Sequence, residues 1–499
     1  MTTMGARLSL YPRSLVVYYW ALALFLAVMS ISGTVALRNL LLVFLLVFSA
    51  WLFSKKQLPY RGNAFQLASE ATPFIYVWIV YLALFPFWST DPSVAWTNLR
   101  GPWLESMLTW ILAIFVAAIL GKKGPNLYQL AVISAVPALL HLSLTLLQWL
   151  NLLPSEFNQD PSLASLYKSI PYILQGDNIN WFGAPFPWGF HGIEPMHGNI
   201  GYAASQATIL SIACFFEALK KGATQNAFRS IALLAACLFS VLIASSRGAA
   251  YFNIIIMVLA VPLYILVIGK QKEKSGQSKS SRKLAVIVAA FLVALIFVAY
   301  SFGKIYKTDV RWGSMWDKIE LGIQLQDPQD ALCNGISSSV KNSIFDRYSE
   351  KGSAYPKILI DGLEGQDGGR ILLMREGLQL VFDNPWGLDG SRQAYQKIME
   401  RKCGHPPVLF FSHAHQAWIN LALSIGLAGA AIYALLLISF AVNGIGALAS
   451  PTWWPWAMSL TLLAFFWILR GMADGVFQDH YLQMQAFFMM YIAVRQKVT

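Results

Sequence analysis

The chain has 499 residues, of which 56% are hydrophobic and only 12% charged, with 18 Trp, 20 Tyr and 31 Phe. A soluble domain carries about a quarter charged residues, so this composition excludes an ordinary water-soluble globule. The formal net charge of +12 raises the question of a nucleic-acid partner, which the position of the charges answers below.

A helix needs ~20 apolar residues to cross a bilayer, and blocks of that kind predict about twelve spans. They lie near 14–33, 36–54, 72–89, 104–121, 128–150, 199–217, 228–245, 249–268, 283–302, 416–440, 453–470 and 480–494. The first block has no small-residue cleavage site behind it and is followed at once by another, so it reads as a span and not as a signal peptide. With the N-terminus in the cytoplasm, the inside segments hold 18 Lys and Arg residues, against four (Arg38, Arg100, Lys168 and Arg247) in the short outside segments. That bias predicts both termini inside.

This reading divides the chain into three parts. Residues 1–302 carry nine spans and an outside loop near 151–198, residues 303–412 form a long outside loop or cap, and residues 413–499 carry the last three spans. The 151–198 loop contains Asn180-Trp-Phe-Gly-Ala-Pro-Phe-Pro-Trp-Gly-Phe190, an aromatic stretch suited to the bilayer interface. Lys270–Lys283 is a Ser/Lys-rich linker, flexible by composition. The 303–412 loop balances 14 basic against 14 acidic residues, so the excess positive charge sits in cytoplasmic segments, where it meets anionic lipid. Nucleic-acid binding is rejected on that ground. The clearest element of the loop is a helix from Gly369 to Asp383, stopped by Asn384-Pro385.

Cysteine usage fits this topology. Cys214 and Cys237 fall inside spans as small apolar residues. Cys333 and Cys403 share the outside loop, where a disulfide persists, although the sequence leaves their pairing open because it does not supply the Cα separation. Of seven histidines only His141 lies within a span, as a hydrogen-bonded core residue. The others (His191, His197, His405, His413, His415 and His480) fall in outside segments or at their edge.

Four clusters carry chemistry. Ser245-Ser246-Arg247-Gly248-Ala249-Ala250 is an outward hairpin tip, whose guanidinium either takes a phosphate bidentately or simply snorkels at a helix end. Phe411-Ser412-His413-Ala414-His415-Gln416 precedes the tenth span and suits general-base work near neutral pH. The alternative there is a structural His pair. A metal is disfavoured, since no companion ligand lies at the right spacing. Gly368-Gly369-Arg370 opens the 369–383 helix, where the macrodipole disfavours a cation, so Arg370 is a candidate for meeting an anion. Arg470 and Asp474, four apart at the outer end of the eleventh span, are read first as an ion pair and second as a functional intramembrane Arg.

In this order the clusters resemble the O-antigen ligase and polymerase superfamily of membrane glycosyltransferases. The resemblance rests on the Ser-Arg-Gly-Ala hairpin and on Gly369-Arg370 followed by Pro385-Trp386-Gly387-Leu388-Asp389-Gly390. It also rests on His-x-His followed by Ala417-Trp418-Ile419-Asn420-Leu421 and Gly426-Leu427-Ala428-Gly429, and on Met196-His197-Gly198-Asn199 before the sixth span. It covers roughly residues 185–445, and the long loop is most similar to that of the lipopolysaccharide O-antigen ligases. The resemblance implies an all-α, GT-C-like polytopic fold in the bacterial inner membrane. It implies transfer of a glycan from undecaprenyl pyrophosphate to the lipid A–core oligosaccharide on the periplasmic face, with no metal and no cofactor. Carried onto this sequence, Arg247 and Arg370 hold the pyrophosphate and His415 activates the acceptor hydroxyl, with Arg470 and Asn199 in support. The family more often has Asn or Ser after that His, whereas this chain has Gln416, which leaves both His413 and His415 as candidates, with His415 favoured. A single displacement of this kind inverts the anomeric centre.

Three other readings remain. A polymerase that extends the glycan on its own carrier and a protein O-oligosaccharyltransferase share the donor and differ only in acceptor. A secondary transporter would place polar residues and broken helices at the midplane, whereas here the charged candidates collect at the outer surface.

Overall fold

The computed structural model describes residues 13–31, 33–54, 64–154, 157, 160–175, 185–194, 197–275, 313–365, 367–409, 411–475, 477 and 479–498. Among these the chain is helical, with no strand. In chain order the helices are α1 (Arg13–Val28), α2 (Val35–Ser54), α3 (Ala64–Ala71), α4 (Phe74–Leu84), α5 (Pro92–Arg100), α6 (Pro102–Leu120), α7 (Leu127–Trp149) and α8 (Leu163–Gln175). They continue with α9 (His197–Lys221), α10 (Thr224–Ile243), α11 (Arg247–Ser275), α12 (Met315–Gln324), α13 (Pro328–Asn334) and α14 (Ser338–Tyr348). The last are α15 (Tyr355–Gly365), α16 (Asp367–Asp383), α17 (Ala394–Cys403), α18 (Ala417–Ala447), α19 (Trp454–Gly471) and α20 (Asp479–Val498).

Seven segments are long and apolar enough to cross a membrane: α2, Pro102–Lys123, α7, Asn199–Lys221, α10, Arg247–Lys270 and α18. Of the other expected spans, α1 and Phe74–Trp88 are shorter apolar helices, and that at 283–302 lies outside the described residues. The helix α20 has a different character. It is buried on all sides, with Leu482, Phe487, Met490 and Tyr491 at 0% exposure, so other helices rather than lipid surround it. It packs along α6, α18 and α19. Near Lys270, where a flexible linker is expected, α11 instead continues helical to Ser275; residues 276–283 lie outside the described residues.

His141 is the core histidine that the sequence predicts. Its Nδ1 lies 2.8 Å from Ser240 Oγ and its Nε2 2.8 Å from the Phe190 carbonyl, tying α7 to α10 and to the aromatic loop.

Two packing devices position the functional end. The first is a break in α18. Gly426 sits at φ 90°, ψ 159° inside the helix, a conformation that glycine reaches at least cost. Carbonyls freed by such a break need partners, the more so at membrane depth. The Pro385–Gly390 loop supplies them: Leu388 N–H donates to Leu423 and Ser424, Gly390 N–H donates to Ser424, and Leu427 N–H donates back to Pro385. The Tyr81 hydroxyl donates to the Ile425 carbonyl. Gly387, at φ 78°, lies directly against the Gly426 backbone, and a Cβ on Gly426 would stand 2.8 Å from the Trp386 carbonyl oxygen. The two glycine motifs of the sequence are thus the two halves of one joint.

The second device is the cap formed by α12–α17. The predicted helix at 369–383 is α16, which starts two residues earlier, at Asp367, and ends at Asp383 as expected. Arg375 of α16 donates to the carbonyls of Gly322, Ile323 and Leu325 at 2.9, 3.0 and 2.7 Å, closing the C-terminal end of α12. Cys333 and Cys403 form a disulfide with Cα atoms 5.5 Å apart, joining α13 to the end of α17.

Candidate functional site

The candidate residues come from segments far apart in sequence and meet at one end of the helical bundle. Arg247, the first residue of α11, pairs with Asp367 at 3.0 Å, and Asp367 begins α16, so Arg247 stands at the mouth of the turn that carries Arg370. The next residue, Gly248, has no side chain because the Arg470 guanidinium fills the place where its Cβ would be. Arg470 is 4% exposed, lies over the rings of Tyr202 and Phe252 at 4.7 and 5.2 Å, and pairs with Asp474 at 3.2 Å. Asp474 also accepts from the Tyr202 hydroxyl at 2.8 Å and from the Gly475 N–H at 2.9 Å. Gly475 packs against the His413 ring. Arg370 is exposed and close enough to both histidines and to Asp474 to bias their charge. The contacts therefore run from Asp367 and Arg247 to the neighbouring Gly248, on to Arg470 and Asp474, and from Gly475 to His413, while Arg370 acts on both histidines through its charge.

The histidine segment is held rigidly. Gln416 caps α18, its side chain accepting from the Ile419 N–H at 2.7 Å, so the departure from the usual Asn or Ser preserves a side-chain N-cap. Asn420 accepts from the Ala414 N–H at 2.9 Å, and Trp418 donates to the Ile468 carbonyl at 3.1 Å. The His413 and His415 rings lie 4.2 Å apart, with Phe411 edge-on to His415. His415 has φ 50°, a left-handed backbone that costs a non-glycine residue on the order of 1–3 kcal/mol and persists only where its surroundings impose it. Its Nδ1 is buried without a hydrogen-bond partner.

Burial, helped by nearby positive charge, favours the neutral form of both rings. Burial, followed by His413 and Arg370, pushes His415 down to about 4 against the opposing pull of Asp474. Burial also lowers His413, with Asp474 opposing and Arg392 and Arg370 adding to the shift. Asp474 stays below the usual carboxylate range: its burial acts the other way, but Arg470, the Tyr202 hydroxyl and Arg370 outweigh it.

Of the residues singled out in the sequence, Arg247, Arg370, His413, His415 and Arg470 come together here. Asn199 stands further back: its Nδ2 donates to Glu194 at 2.8 Å and its Oδ1 accepts from the Tyr481 hydroxyl, whose ring lies 4.3 Å from that of Tyr202. Arg470 and Asp474 do form the expected i,i+4 pair, yet the pair is part of this cluster. Two features escaped the sequence reading. Arg392 lies beside His413, and a cleft of about 470 Å³, lined by α5 and by residues 390–393, opens onto His413. Arg392 stands two residues past the Pro385–Gly390 motif, and the docking of that loop onto α18 places it with His413 in the lining of the cleft.

The family model described as O-antigen ligase matches residues 232–434, a stretch that takes in Arg247, Arg370, Arg392 and both histidines. No curated protein matches the chain. Over residues 232–434, which carry the motifs that converge on this site, the chain is similar to the O-antigen ligase family.

Proposed function

We propose that the protein is a lipopolysaccharide O-antigen ligase, moving a glycan from undecaprenyl pyrophosphate onto lipid A–core oligosaccharide at the periplasmic face of the inner membrane. The observation that carries this reading is the convergence of two guanidinium groups and a neutral histidine pair from three separate segments. A glycosyl pyrophosphate is already activated, so the protein has to hold the leaving group, place the acceptor and accept one proton. Arg247 and Arg370 stabilise the charge developing on the pyrophosphate. His415, with its unpartnered Nδ1, takes the acceptor proton as the oxygen attacks the anomeric carbon, a contribution of ~10²–10⁴-fold. His413, whose ring lies tilted against it at 4.2 Å and faces the cleft, steers the acceptor. The displacement inverts the anomeric centre and needs no metal.

Twelve spans with both termini cytoplasmic accompany this reading, with spans in 1–302, the cap in 303–412 and the last helices in 413–499. It is supported by the distribution of basic residues along the sequence and by the clustering of the candidate groups at one end of the helices.

The experiment is glycan transfer by purified protein with lipid A–core, with a second lipid-linked glycan or with acceptor protein, in separate reactions. Transfer to lipid A–core, lost in His415→Ala, is the expected result. Lengthening of the carrier-linked glycan instead assigns a polymerase, and glycosylated protein assigns an oligosaccharyltransferase. A product that retains the anomeric configuration rules out the single displacement.

A further inference from the structure

The cleft that opens onto His413 has a definite chemical character. Its lining presents hydroxyls from Thr97, Ser391 and Ser412, amides from Asn98 and Gln393, and one formal charge, that of Arg392. No carboxylate is present among the described residues of the wall. Hydroxyl and amide groups suit a sugar, and the volume of about 470 Å³ falls in the range of small-molecule sites.

The wall that carries Arg392 is fixed before any ligand arrives. Asn98 donates to the Asp389 carbonyl at 2.8 Å, and Gly390 N–H is bonded to Ser424 at 2.9 Å. The Asp389 carboxylate accepts from the Ser391 N–H at 3.0 Å and pairs with Lys397 at 2.6 Å, which holds the loop in place. Gln393 N–H closes on Ser391 Oγ at 3.1 Å. The backbone on either side of Arg392 is thus held by hydrogen bonds, and the planar fork of its guanidinium matches a phosphate or carboxylate. Arg392 acts electrostatically on His413, whereas Arg370 acts on both rings.

We propose that this cleft is the acceptor subsite and that Arg392 selects acceptors whose sugar carries an anionic substituent, a phosphate or a carboxylate, beside the hydroxyl to be glycosylated. The proposal rests on the ligase reading above. It assigns Arg247 and Arg370 to the donor and Arg392 to the acceptor, so Arg392 governs the KM for acceptor rather than that for donor.

The test uses the full-length purified protein with lipid A–core in three forms: untreated, dephosphorylated and carboxyl-reduced. Wild type is expected to prefer the untreated acceptor over one of the treated forms by about tenfold to a hundredfold in kcat/KM, the range of one charge-assisted hydrogen bond. The treatment that abolishes the preference names the group. Arg392→Gln brings that ratio close to one, and Arg392→Lys gives an intermediate ratio, since it keeps the charge and loses the fork. As a check that needs no variant, the free untreated core oligosaccharide should inhibit wild type competitively against acceptor, and the treated one at least about tenfold less well. Equal use of all three acceptors by wild type, or an Arg392→Gln variant that keeps the wild-type ratio, overturns the subsite while leaving the ligase intact. An Arg392→Gln effect confined to the KM for donor does the same. Donor consumption by wild type without transfer to any form of the acceptor overturns the ligase reading and this proposal together.

Discussion

At the scale of single residues, the account turns on how the environment sets the protonation of His415. Burial, His413 and Arg370 hold it down at about 4, so the ring is neutral at neutral pH and able to accept a proton, though as a weak base. On the proposed reading, an anionic donor resting on Arg247 and Arg370 would offset part of that positive field and raise the value. Loss of activity occurs as pH falls through the pKa of the base, because the protonated ring cannot accept. The acid limb of kcat/KM for donor, which reports free enzyme, should therefore lie near pH 4, and the limb of kcat, which reports the bound complex, should lie higher. Coincident limbs, or a kcat limb at lower pH, would contradict the electrostatic coupling. Gly248 supplies a second residue-scale prediction. A methyl group there would fall within the Arg470 guanidinium, so Gly248→Ala should move Arg470 and with it Asp474, lowering both transfer activity and the melting temperature in detergent. A variant with wild-type values in both would show that Arg470 is not seated as described.

At the scale of elements, the joint between the Pro385–Gly390 loop and the break in α18 carries the architecture of the site. Gly426→Ala introduces a Cβ at φ 90° close to the Trp386 carbonyl, and the backbone strain alone is worth on the order of 1–3 kcal/mol. Thermal unfolding should register it as a clear fall in melting temperature, and an unchanged value would mean that the loop does not dock there. The cap offers a separate handle in the Cys333–Cys403 disulfide, which closes a stretch of 70 residues in sequence. Cross-links of that kind contribute roughly 2–4 kcal/mol. Reduction, or Cys333→Ser, should make the cap markedly more sensitive to limited proteolysis while the helical bundle stays resistant; equal resistance would contradict a stabilising role.

These elements also mark what was legible in the sequence. The extent of α16 was, because Asn384-Pro385 is a strong local stop. The Arg370, His413 and His415 clusters were too, because ionisable residues stand out in an apolar chain. The partnership of the two glycine motifs was not, since a helix break and the loop that fills it lie about forty residues apart and neither carries a local mark of the other. Arg392 was missed for the same reason. Hydropathy also treats α20 as one more span, although its place inside the bundle is set by neighbours that no single-sequence window contains.

At the scale of the whole molecule, the apolar bundle gathers the candidate site residues at one end, and the cap brings Arg370 and Arg392 towards the histidine pair. Such an arrangement suits a reaction between two lipid-anchored substrates, each held in the bilayer by its own tail and meeting only at the head groups. On the proposed reading it would need no cofactor, because a glycosyl pyrophosphate donor brings its own activation. The most direct test of that claim is transfer from undecaprenyl-pyrophosphate-linked glycan to lipid A–core by the purified protein in detergent with excess EDTA, alongside Arg247→Ala, Arg370→Ala and His415→Ala. The account predicts a glycan ladder on lipid A–core from the wild type, undiminished by EDTA, and its loss by ~10²-fold or more in His415→Ala, with each arginine variant also impaired. A ladder abolished by EDTA, or one formed equally well by His415→Ala, would contradict it.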